Sequence, residues 1–415
     1  GGAAMSLMQA RFVLGSMVLA SAAVTASALA EGAADQACIA HVAYLPLDVA
    51  TVGKDDAGVA ALGTYERISP DGRFVLRSYS GSLLGKVSLM ELPARSAGPI
   101  KAYRTPFSNE AFPIQGSWRY LVDVTGEHYR FADVLRQQQR ARPLFRGGMT
   151  GFYAAASEWA ASTAASGAAA AERGAPQRLW LRSLSWPQNA DPDQQGVGPL
   201  QVATLEVVDD GAGARIVATH GPQFICSGRA PVDGNVYALP MLSVDGKEFS
   251  AIPQVPRAGQ PTMRVYGLGS DPVVQEHPCD LRADLDLSPG KAVFGFPRES
   301  GPPWLTYSDF GQVYVHDRAL KHTFRLDHVK HRVLASAFPG LTRDGRVIYG
   351  ATWHDCPDTK ACPQQAGYVV VDPHQSQAWR DYWQAQGKPS PKTCITQAEV
   401  LVERARFARF HGLPE

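Results

Sequence analysis

Three stretches of this 415-residue chain hold most of the side chains suited to gripping or processing a ligand. Residues 297–309 carry Arg298, Glu299, Trp304 and Tyr307 around a Gly-Pro-Pro step. Asp327-His328-Val329-Lys330-His331 follows, and Trp353-His354-Asp355-Cys356 opens a third stretch that runs to Gly367. Aromatic faces beside Arg, Glu and His suit a sugar or a peptide, through stacking together with charge-assisted hydrogen bonds. The same histidines with Glu299 are also the residue types that a polysaccharide lyase or hydrolase uses as acid and base. A metal held by His328, His331 and His354 needs more than a His-x-x-His pair on a loop, so neither a metal nor a cofactor is expected. No Gly-x-Ser-x-Gly, His-Glu-x-x-His, P-loop, dinucleotide-binding or haem-attachment motif is present. Asn189-Ala190-Asp191-Pro192-Asp193 imitates the start of a calcium loop but lacks its Gly and later Glu, and reads as an acidic turn.

The elements that must position these residues announce themselves by repetition. Leu242-Ser243-Val244-Asp245-Gly246-Lys247-Glu248-Phe249 reads as strand, tight turn, strand, with a Gly free to take positive φ. Ser69-Pro70-Asp71-Gly72-Arg73 and Thr342-Arg343-Asp344-Gly345-Arg346 repeat the phrase, Ser288-Pro289-Gly290 contracts it, and Gln115-Gly116-Ser117 is a degenerate copy. The spacings are 46 residues from Ser69 to Gln115, 45 from Ser243 to Ser288 and 54 from Ser288 to Thr342. Each interval holds about four short strand-like runs, which is the signature of propeller blades. We therefore expect an all-β, six-bladed β-propeller. The surplus strands at residues 214–226 offer a seventh blade as the alternative count. The last blade lacks a fourth strand, and Ile39-Ala40-His41-Val42-Ala43-Tyr44-Leu45 supplies it from the other end of the chain, hiding the sheet edges. An Ala-rich insert occupies residues 154–175, and residues 128–135 read as a strand.

If the Asp-Gly turns join the innermost strand of each blade to the second, they share one face of the ring. The three ligand-type stretches then fall on the opposite face, between the last two blades. Arg298, Glu299, Trp304, Tyr307, His328, His331, Trp353, His354 and Asp355 would converge there on the channel mouth.

The Ser-Pro-Asp-Gly-Arg and Ser-Val-Asp-Gly-Lys phrases, each followed by a strand, resemble the repeat of TolB-like, or WD40-like, β-propellers of bacterial periplasmic proteins. The resemblance spans residues 65–373 and weakens between 149 and 210. It implies the architecture only, because related propellers serve as scaffolds, binding modules, lyases and peptidase appendages.

Arg11, the apolar run at residues 12–20 and the small-residue tail ending Ala28-Leu29-Ala30 form the three-part pattern of a secretory signal peptide. The expected organisation is a leader at residues 1–30, the propeller at 31–374 and a C-terminal extension with a helix at 375–415. Removing the leader takes Arg11 and no acid, leaving 39 basic against 39 acidic residues. That balance argues against nucleic acid as a partner. No other stretch is long and apolar enough to span a membrane. Six cysteines in an exported chain read as disulfides, and of the fifteen pairings we favour Cys356 with Cys362, Cys226 with Cys279, and Cys38 with Cys394. Thr396-Gln397-Ala398-Glu399 is a capping box, and Gly412 with Pro414 ends the helix it starts. We place that helix on the outside of the ring, with Arg404, Arg406 and Arg409 as its solvated face. The leading reading is a periplasmic or secreted binding module or scaffold for a protein, peptide or glycan, without chemistry of its own. A polysaccharide lyase or hydrolase and a structural subunit of an envelope complex, docking through the C-terminal helix, are the alternatives.

Overall fold

The computed structural model describes residues 36–47, 65–78, 87–95, 98–108, 110–147, 153–159, 176–185, 197–198, 200–225, 237–253, 263–269, 280–285, 293–294, 303–309, 311–335 and 338–414. The expected leader, the Ala-rich stretch from residue 160, the expected acidic turn near Asp191, and Cys226, Cys279, Arg298 and Glu299 lie outside them. The sheets form six blades. Blade 1 is Tyr65–Ile68, Phe74–Ser78, Val87–Glu91 and Lys101–Tyr103, and blade 2 is Ala111–Pro113, Tyr120–Asp123, Glu127–Arg130 and Phe145–Arg146. Blade 3 comprises Tyr153–Trp159, Gln177–Ser185, Gln201–Asp209 and Ala214–Phe224. The surplus strand at Ala214 is thus the outer edge of blade 3 and not a seventh blade. Blade 4 runs Tyr237–Leu242, Glu248–Pro253, Met263–Gly267 and Asp280–Leu285, and blade 5 runs Val293–Phe294, Trp304–Asp309, Gln312–Asp317 and His322–Arg325. In blade 6 the inner strand is His331–Ala335 with Gly340–Leu341, followed by Val347–His354 and Gln365–Val371. Val42–Pro46 completes it, pairing antiparallel with the third strand from Val42 opposite Val371 to Pro46 opposite Gly367. The expected closure by the N-terminal strand is present, and the Cys38–Cys394 disulfide ties down the segment that leads into it.

Each Asp-Gly turn is the same small machine. Ser69 Oγ donates to Asp71 Oδ1 at 2.6 Å, the same oxygen accepts from the Arg73 N–H at 3.1 Å, and the Phe74 N–H donates back to Ser69 Oγ at 2.8 Å. Ser243 with Asp245 and Thr342 with Asp344 repeat the hydroxyl-to-carboxylate bond at 2.7 and 2.6 Å. Gly72 and Gly246 both sit at φ 68°, where a side chain is strained. In blades 1, 4 and 6 these turns link the innermost strand to the second.

The core is divided among the seams between blades. Strand alternation sends Phe74 and Leu76 into the blade 1–2 seam and Val75 into the blade 6–1 seam, so a central strand is buried on both sides. The remaining four seams each hold their own apolar cluster.

Helices depart from expectation. Residues 128–135 do not continue as a strand: the strand stops at Arg130 and helix α1 takes over at Phe131–Gln137. Phe131 and Val134, three apart, are both buried on one helical face. Helix α2 (Gln377–Ala385) and helix α3 (Gln397–His411) form the C-terminal extension. The capping box at Thr396 and Glu399 is present, and Gly412 caps the end at φ 61°. Helix α3 packs on the turn face of the ring. Phe407 and Ala408 pack with Phe74 and Phe131, His411 reaches the Ser117 carbonyl at 3.0 Å, and Arg343 approaches Glu403 at 3.9 Å. The helix therefore covers the Asp-Gly turns of blades 6 and 1 and the degenerate turn of blade 2. Arg404 is not part of a solvated face, since its Nη2 donates to the Leu92 and Pro93 carbonyls at 3.0 and 2.9 Å.

Candidate functional site

The blade 5–6 seam brings together the second and third of the three ligand-type stretches. His331 opens the inner strand of blade 6 and His354 ends its second strand, and the two are register partners. Lys330 Nζ pairs with Asp355 Oδ1 at 2.7 Å, and Gln365 Nε2 donates to Asp355 Oδ2 at 2.5 Å. The loop beyond Asp355 is closed by the Cys356–Cys362 disulfide, and His354 Nδ1 sits 2.9 Å from the Cys362 carbonyl. From the closing strand, the Tyr44 hydroxyl accepts the Val329 and Lys330 N–H groups at 3.2 and 3.3 Å. Its ring lies 5.0 Å from that of the buried Trp353. These contacts fix the backbone of residues 329–331 from two sides.

On that backbone two large apolar side chains stand in solvent, Val329 at 63% and Leu334 at 54% exposure. A register shift between His331 and Leu334, with Arg332 at φ 49°, breaks the alternation, so Val333 turns inward while Leu334 faces out. Bulges re-aim side chains in this way. Both lie on the segment that carries Lys330, His331 and Arg332, with Asp355 paired to Lys330. The signal for Val329 and Leu334 in the sequence is only that they flank a charged, histidine-rich connection. The bulge that exposes Leu334 has no local motif.

The other residues do not join this group. Trp304 begins the second strand of blade 5, the end at which the Asp-Gly turns sit in blades 1, 4 and 6, whereas His354 is at the far end of the corresponding strand in blade 6. Trp304 is 3% exposed, its Nε1 donates to Asp317 Oδ2 at 2.8 Å, and its ring packs near His374 and Trp379 of the C-terminal extension. Tyr307 stacks on Tyr314 with centroids 5.1 Å apart, within the blade 4–5 core. Both belong to a strand where a loop was expected, because Trp304–Asp309 alternates as second strand of its blade. His328 is largely buried, its Nδ1 3.2 Å from the Tyr349 hydroxyl, and desolvation holds its pKa below the ordinary value. Its Nδ1 serves the seam, and among the described residues no three His, Cys, Asp or Glu side chains gather to hold a metal.

Toward the turn face the axis is crossed by Arg67, whose guanidinium lies 4.9 Å from the Phe338 ring centre and whose Nη2 is 4.0 Å from Met241 Sδ across the ring. A cavity of about 40 Å³ remains there, bordered by Glu66, Arg67, Trp118, Val244 and Phe338. Glu66 is fully buried between Arg77, at 3.5 Å, and the Gly350 N–H, at 2.9 Å, and is a structural charge rather than a ligand-facing one.

No family model and no curated protein matches the chain. Solved structures do. A Swd1 β-propeller domain from Myceliophteria thermophila is 12% identical, with 74% of this chain and 98% of that one covered, at a TM-score of 0.33. Regucalcin from Agrobacterium tumefaciens, a calcium-binding protein, is 12% identical over 81% and 97%, at 0.35. The α-L-arabinofuranosidase Arb93A from Fusarium graminearum is 8% identical over 81% and 98%, at 0.37. All three are distant, and the six-bladed propeller rests on the chain's own sheet topology.

Proposed function

We propose that the chain is an exported, TolB-like propeller that binds a protein, peptide or glycan, without chemistry of its own, through the blade 6 surface around Val329 and Leu334. The carrying observation is that these two apolar side chains are exposed on one short segment whose backbone is bonded to Tyr44 and which carries Lys330, paired to Asp355, with His331 and Arg332. Exposed apolar side chains beside charged ones mark surfaces suited to binding. His331, His354 and Asp355 contribute polar contacts at its edge. The two disulfides and the leader pattern support export, and the Ser-Pro-Asp-Gly turns support the TolB-like reading.

The test is a peptide library and glycan array probed with the purified protein and with the V329D/L334D pair. A ligand retained by the parent and lost by the pair, at unchanged melting temperature, is the expected result. Equal retention by both proteins overturns the assignment of this surface. Stoichiometric manganese, calcium or zinc in the purified protein counts against a pure binding role.

A further inference from the structure

Helix α1 ends at Gln137, where the chain turns sharply: Gln138 adopts φ 53° and ψ −123°, a region normally left to glycine. A short 3-10 turn, Gln138–Arg140, follows. Together with Arg104, which follows the outer strand of blade 1, it borders an open hollow of about 520 Å³ lined by Arg104, Arg136, Gln137, Gln138, Gln139 and Arg140. The Arg104 N–H donates to Gln138 Oε1 at 3.3 Å, joining the two walls, and Arg136 Nη2 is anchored on the Gly412 carbonyl at 2.7 Å.

No acid lines this hollow. Several other arginines are met by carboxylates: Arg73 by Glu91, Arg130 by Asp209, Arg318 by Glu248 and Arg346 by Asp344. Among the described residues, Arg104, Arg136 and Arg140 have no such partner. The local sequence shows the same imbalance, with Arg136, Arg140, Arg142 and Arg146 and no acid between residues 136 and 146, in a chain of net charge +1.

We infer that this rim between blades 1 and 2 is a binding site for a phosphate-type, multiply charged anion, gripped by Arg104, Arg136 and Arg140. Guanidinium forks match tetrahedral oxyanions bidentately, and a single carboxylate would leave most of the positive charge unmet. The glutamine amides supply neutral donors and acceptors for whatever carries the phosphate. A soluble phosphate compound and a phospholipid headgroup both present this chemistry. The site lies apart from the blade 6 surface and does not depend on it.

Two probes separate the sources: inorganic phosphate by calorimetry at low ionic strength, and flotation with phosphatidylcholine vesicles with and without phosphatidylglycerol. Arg104→Ala with Arg140→Ala removes two exposed forks, and the expected loss of affinity is roughly a hundredfold, about tenfold for each charge-assisted contact. Arg104→Lys with Arg140→Lys keeps the charge and the fold but not the fork, and is expected to lose about tenfold. Binding of phosphate assigns a soluble ligand, and binding only of vesicles containing phosphatidylglycerol assigns a lipid headgroup. If neither probe binds the parent protein, or the Ala pair binds as well as the parent, the site is refuted.

Discussion

Replacing Cys38 and Cys394 by Ser should weaken the fold more than replacing Cys356 and Cys362, although both bonds lie at the periphery of blade 6. The Cys38–Cys394 bond joins residues 356 apart, and the Cys356–Cys362 bond residues six apart. A cross-link stabilises chiefly by restricting the unfolded chain, and the loop-closure relation gives about 5 to 6 kcal/mol for the long loop and about 2 kcal/mol for the short one. The long bond also restrains the segment entering Val42–Pro46, the strand that closes the ring, beside Leu45 in the blade 6–1 core. Guanidinium unfolding followed by tryptophan fluorescence measures both pairs, and limited proteolysis ahead of Val42 reports whether the closing strand loosens. A loss for the Cys38/Cys394 pair no greater than that for the Cys356/Cys362 pair would refute the closure argument.

Gly350→Ala places a Cβ 2.5 Å from both carboxylate oxygens of the buried Glu66, so it should cost about 3 kcal/mol in chemical denaturation, as overpacking does. Arg404→Ala strips donors from the Leu92 and Pro93 carbonyls and removes a cation near Asp71, and should lower stability by about 2 kcal/mol. Hydrogen exchange should show that loss concentrated in helix α3. Burial lowers the His411 pKa to about 4, so the ring is neutral in the fold and protonates near its ordinary value of 6.5 when unfolded. The unfolded state then binds the extra proton, so this contribution is complete above about pH 6.5 and is lost as the pH falls from there toward 4. His411→Gln should remove a slope on the order of 3 kcal/mol across that window in pH-dependent unfolding, and an unchanged slope would contradict the burial argument.

Much of the architecture was legible because it is written in local chemistry. A hydroxyl, a carboxylate and a glycine at fixed offsets build each Asp-Gly turn, and the interval between turns sets the blade. The closing strand was legible by bookkeeping, since blade 6 lacked an edge that Val42–Pro46 could fill. The capping box at Thr396 likewise marked a helix start without reference to the rest of the chain.

What the sequence left undecided is where surfaces meet. Trp304 and Tyr307 have the composition of a binding loop, yet the packing of blade 5 against its neighbours buries them. Helix α3 has charged residues on most sides, and only the position of the Leu92 and Pro93 carbonyls decides that Arg404 turns inward. Leu334 is exposed because of a bulge, and Arg104 meets Arg140 because blade 1 stands beside blade 2. Turn geometry and strand alternation depend on neighbours within a few residues, so the sequence by itself determined them. The candidate sites depend on contacts between residues far apart in the chain, and only the tertiary structure decided those.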